Sequence, residues 1–166
     1  MKPFLFIPLL GALALVQSTL LPLIAILGVQ PDLVLLAVMS WTLLRGLVEG
    51  LVWAFVGGLW LDLLSGGPFG LSSLVLVLVV FLLSLLEASL FREHIVLVMM
   101  IAIGIGLSHG VLYLLLLRLG GYSVATLTAL WRIVLPASLY TSLLTPVVFP
   151  PLRWLHRVTG REQLEW

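Results

Sequence analysis

The sequence predicts an all-α integral membrane protein with about six transmembrane helices. Three observations carry this. Of 166 residues, 62% are hydrophobic and only 9% are charged, against about 25% charged in a soluble domain. Long uncharged runs recur along the chain, the mark of membrane-spanning helices. Within those runs small residues fall four apart, at Gly46, Gly50, Ala54 and Gly58. Positions four apart share a helix face, and small residues there let helices approach closely where lipid removes the hydrophobic drive.

Six hydrophobic segments follow in order. The first is Phe4–Leu27, with Pro8 and Pro22 expected to bend it. Lys2 followed by an apolar run, with Ala12 and Ala14 behind it, imitates a signal peptide. The run continues past Ala14, longer than a signal core, so it reads as an uncleaved span. The second segment, Leu33–Leu44, is the short one: twelve residues reach only ~18 Å as a helix, against ~30 Å of hydrocarbon. Pro31 suits a first helical turn and Asp32 a helix start. Segments two and three therefore either span or form a re-entrant hairpin. The third segment is Gly46–Leu64, the fourth Phe69–Leu86 and the fifth Ile95–Leu117, interrupted only by His109. The sixth is Ile133–Phe149, containing Pro136 and Pro146 and terminated by Pro150 and Pro151.

Lysine and arginine placement sets the orientation. With the N-terminus inside, Lys2, Arg45, Arg92, Arg153, Arg157 and Arg161 are cytoplasmic, which favours N-in and C-in. Residues 1–153 then form the polytopic domain and 154–166 a basic cytoplasmic tail with interfacial tryptophans. Asp32, Asp62 and the glycine turn after Asp62 fall on the outer side.

Asp62 is the next rung of the small-residue ladder. A carboxylate there is expensive in hydrocarbon and should face protein, water or headgroups. It reads either as a contact site or as a helix-end carboxylate. Gly66, Gly67 and Gly70 permit backbone angles that other residues resist, and Pro68 stiffens the turn. The ladder itself either receives a partner's helix or packs within the chain. A second ladder, Ala102, Gly106 and Gly110, could meet the first. His109 beside it reads as a packing residue. Gln17, Ser18 and Thr19, and then Ser138, Thr141, Ser142 and Thr145, read as interhelical hydrogen-bonding groups. Arg45 and Glu49, four apart, suit a minor local ion pair. Glu87, Arg92 and Glu93 read as a solvated turn.

Several function classes find no support. Net charge is +1, so there is no nucleic-acid footprint. The absence of cysteine removes disulfides, thiolate metal sites and thiol chemistry. No nucleophile triad, paired histidine–glutamate zinc motif or phosphate loop is present, and the sequence calls for no catalytic residue, metal or cofactor.

The order PDLVLLAVMSW (31–41), LLRGLVEG (43–50) and GLWLDLLSGGPFG (58–70) resembles the bacterial rod-shape-determining membrane protein MreD family. Length, hydropathy and basic tail agree across the chain; the specific match lies in residues 31–70. The resemblance implies a non-catalytic, multi-pass scaffold of the inner (cytoplasmic) membrane, serving rod shape and lateral peptidoglycan synthesis. It implies a bitopic MreC-type partner, and an assembly with MreB, RodA and a class B penicillin-binding protein. It also implies a fold similar to the membrane-embedded S-components of energy-coupling-factor transporters. Pro31, Asp32, Gly58, Asp62, Gly66, Pro68 and Gly70 are the matching motif positions, expected in fold and partner-docking roles together with Gly46, Gly50 and Ala54. Self-association stays open. The competing expectation is a substrate-binding membrane subunit of a vitamin-type transporter, which would need convergent polar groups around a pocket.

Overall fold

The computed structural model describes residues 6–25, 28–85, 94–123 and 125–160. Lys2, the turn with Glu87, Arg92 and Glu93, and the final residues 161–166 with Arg161 lie outside the described residues. So do Phe4, Leu5, Ile26 and Leu27 of segment one and Leu86 of segment four. Every regular element described is helical: α1 (Phe6–Thr19), a 3-10 turn (Leu21–Ile24), α2 (Leu33–Arg45), α3 (Leu47–Ser65) and α4 (Leu71–Leu85), then α5 (Ile95–Leu119), α6 (Thr126–Ala129), a π-helical segment (Leu130–Val134) and α7 (Leu135–Gly160).

Among the described residues, four stretches are long and apolar enough to cross a membrane: Phe6–Leu23, Leu47–Ser65, Ile95–Leu119 and Thr126–Val158. The two shorter helices, α2 and α4, complete the set of six expected from sequence. Large apolar side chains such as Val48, Leu63, Leu85, Met100, Leu143 and Val147 face outward. In water so broad an apolar surface would aggregate; in a bilayer it is solvated by acyl chains.

The short helix α2 is the hub. It touches α1, α3, α4, α5 and α7, and every residue from Val34 to Leu44 is buried. An apolar circumference without a polar face suits a helix surrounded by protein. Asp32 caps its start by accepting from the Leu35 N–H at 2.9 Å. The helix begins only at Leu33, so Pro31 precedes the cap instead of occupying the first turn. The reason is the extended backbone of Asp32, whose N–H is taken by Thr141 Oγ1 at 3.0 Å.

Gly46 ends α2 at φ 88°, a left-handed angle that glycine adopts freely, and its N–H bonds Thr42 O at 2.8 Å. α3 then returns antiparallel. Around this turn Trp41 stacks on Trp53 with ring centroids 4.4 Å apart, and the Trp41 indole N–H donates to Glu49 at 3.1 Å. Arg45 lies 3.7 Å from Glu49 and over the Trp41 ring. The pair read as minor in sequence is thus tied into a buried aromatic cluster.

The proline-rich last segment differs from expectation. Pro150 and Pro151 do not end it: α7 runs through Pro146, Pro150 and Pro151 to Gly160. Prolines persist in membrane helices because neighbouring groups re-satisfy the freed carbonyls. The irregularity falls earlier. Pro136 lacks an N–H to continue the i→i−4 ladder, and the wider π segment lies just before it, with the Leu135 N–H reaching back to Leu130 O.

Candidate functional site

One end of the bundle carries the start of α2, the α3–α4 turn, the end of α5 and the π segment. Two polar arrangements lie there.

The first is built on Asp62. The residue is 5% exposed and its carboxylate accepts four hydrogen bonds. Oδ1 takes the Ser72 N–H at 2.9 Å. Oδ2 takes the N–H groups of Gly70 at 3.0 Å and Ser73 at 3.3 Å, and the Ser73 hydroxyl at 3.1 Å. The last carboxylate of α3 therefore caps α4, satisfying donors that a helix start leaves orphaned. Gly66 ends α3 in the left-handed region (φ 65°) and Gly70 enters α4 at φ 91°. The Pro68 carbonyl accepts from the Leu71 N–H at 3.2 Å. Locked at both ends, the turn displays Phe69 at 70% exposure.

The ladder leading to Asp62 faces the chain's own interior. A Cβ on Gly50 would overlap the Thr42 side chain, and one on Gly58 would overlap the Ser73 backbone. Ala54 is fully buried. Gly46 sits apart, at the hairpin. The face formed by Gly50, Ala54, Gly58 and Asp62 is therefore covered by α2 and α4, and the partner-receiving reading of the ladder gives way to internal packing. Nor do the two ladders meet. Gly106 abuts Ser138 and Gly110 abuts Val134, so the α5 ladder holds α7 and the π segment before it.

The second arrangement joins residues that are far apart in sequence. Asp32 Oδ1 accepts from Gln17 Nε2 at 3.1 Å as well as from Leu35 N–H. Gln17 Oε1 accepts from the Val34 N–H at 2.9 Å. Thr141, bonded to Asp32 N–H, donates its own hydroxyl to Ala137 O at 2.8 Å. Asp32 Oδ2 faces His109 Nδ1 at 3.7 Å, too long for a hydrogen bond. These groups line a cavity of about 400 Å³, together with Tyr113, Ser138 and apolar walls from α3, α5 and the π segment.

Sequence reasoning placed Asp32 at the outer edge and His109 alone in hydrocarbon; the fold brings them together. Each polar residue was visible, but their convergence spans 109 positions between Asp32 and Thr141. The available signal was physical: a polar group in a span needs a partner, and several lacked one nearby in sequence. Ser142, by contrast, acts as the expected glue, donating to Met99 O at 3.0 Å. Among the described residues no cluster of three metal-ligating side chains occurs.

No curated protein and no solved structure matches the chain. The model of the family described as rod shape-determining protein MreD matches residues 1–159, and with its helical membrane architecture the chain belongs to the MreD family.

Proposed function

We propose that this protein is a non-catalytic scaffold of the cell-wall elongation machinery in the bacterial inner membrane. It binds a bitopic MreC-type protein and belongs to an assembly with MreB, RodA and a class B penicillin-binding protein. Family membership over residues 1–159 carries this reading. The N-in, C-in orientation puts the 65–70 turn on the outer face, where the partner's extramembrane region begins. The turn is held by Asp62 and presents Phe69 outward, so it suits a fixed contact for that region. In this reading Gly50, Gly58 and Asp62 act through the fold: they set the angle at which the turn is shown. Depletion followed by rescue tests the cellular role. Loss of rod shape on depletion, restored by this gene, supports it; unchanged shape on depletion sinks it.

One observation favours a second reading, a substrate-binding membrane subunit of a small-molecule transporter with an S-component-like fold. The Asp32–His109 cavity supplies the convergent polar groups that such a subunit needs. A stoichiometric metabolite retained through purification would favour it.

A further inference from the structure

Asp32 lacks a full counter-charge. Its Oδ1 is satisfied by two donors, whereas Oδ2 makes no hydrogen bond among the described residues and has only His109 Nδ1 at 3.7 Å. A carboxylate within a membrane bundle needs charge compensation. His109 would supply it as an imidazolium, but that form carries two N–H donors. Nε2 is buried with no hydrogen-bond partner among the described residues, so the second donor of a charged ring would be orphaned. The neutral ring leaves only a bare nitrogen there, at lower cost, and leaves Oδ2 uncompensated.

Space for the missing charge adjoins it. The cavity of about 400 Å³ has Asp32 as its acidic member, with His109 and neutral glutamine, serine, threonine and tyrosine side chains as the other polar groups, and Ile133 among its apolar walls. Among the described residues, no arginine or lysine lines it. Its size falls in the range of small-molecule sites, which are concave, mostly apolar and fixed by a few polar groups. One carboxylate among neutral polar groups and apolar walls selects a single positive charge on a compact, largely apolar body.

We propose that this cavity binds a small organic cation, its ammonium group on Asp32 Oδ2 and its apolar body between Tyr113 and Ile133. The ammonium donates to Oδ2 and supplies the counter-charge that His109 does not. The site is separate from the scaffold reading, because no residue of the 65–70 turn contributes to it.

The test uses the purified full chain in detergent micelles, with benzylamine, protonated at neutral pH, and benzyl alcohol as its uncharged match. Micelle partitioning affects both compounds, so their difference reports the site. Saturable stabilisation by benzylamine is expected, with half-saturation at least about tenfold below that of the alcohol. Asp32→Asn keeps a helix cap of equal quality while removing the charge, and should abolish the difference. Ser108→Ala, whose hydroxyl bonds Gly104 O on the other side of α5, should preserve it. Equal responses to amine and alcohol, or amine preference surviving Asp32→Asn, would overturn the proposal. Should Asp32→Asn fail to fold, Ala137→Leu adds bulk to the cavity lining while leaving its carboxylate in place. Loss of amine binding in that variant supports the site, and unchanged binding overturns it. Partner binding does not enter this measurement, so failure of the scaffold reading is distinguishable.

Discussion

At the scale of single residues, two carboxylates carry the architecture, each by capping a helix. Asp62 holds the start of α4 with four bonds and Asp32 holds the start of α2. Asp62→Ala leaves several buried donors unpaired, and should cost at least about 2 kcal/mol, read as a lowered unfolding midpoint in micelles. The glycines give a sharper contrast. A side chain on Gly58 meets the Ser73 backbone, which cannot give way, so Gly58→Leu should destabilise by about 3 kcal/mol. Gly104 has nothing within 4 Å of its Cβ position and faces outward. Gly104→Leu should shift the same midpoint by less than about 0.5 kcal/mol. The four-residue spacing of the ladder was legible in the sequence. Which helix would fill it was not, because an internal and an external partner present the same backbone to a glycine.

At the scale of elements, the helices follow hydropathy and the departures follow hydrogen bonding. Gly46, Gly66 and Gly70 mark helix ends as turn chemistry predicts, because their backbones are left-handed. The proline signals misled at Pro150 and Pro151. Proline breaks helices in water, where freed carbonyls and bent chains are solvated; inside a bundle the helix remains the only way to satisfy the rest of the backbone. The central role of α2 was hidden by its length, since a short apolar run reads equally as a short span or a hairpin. Its burial makes a prediction. Leu36, 1% exposed, lies where a cavity cannot collapse easily, and Leu36→Ala should cost about 2 kcal/mol or more. Leu143 on α7 is 65% exposed, and Leu143→Ala should be near neutral, because lipid replaces the lost methyl groups. Unfolding midpoints of the two variants, compared with the parent, check this.

At the scale of the whole molecule, the bundle presents an apolar exterior and gathers Asp32, Asp62 and His109 inside one end. Composition made the exterior legible. The interior was not, because Gln17, Asp32, His109 and Thr141 lie on four different segments and meet only through the packing of α1, α2, α5 and α7. That same end shows the turn with Phe69, fixed by Asp62 and exposed at 70%. Phe69 makes no contribution to the buried core, so Phe69→Asp should leave the monomer folded while weakening the MreC-type complex at least about tenfold. The scaffold claim is tested most directly by native mass spectrometry of the gently solubilised protein, co-expressed with its host's MreC-type protein. The account predicts a stoichiometric complex that dissociates in the Phe69→Asp variant. A lone chain under the same conditions would contradict it.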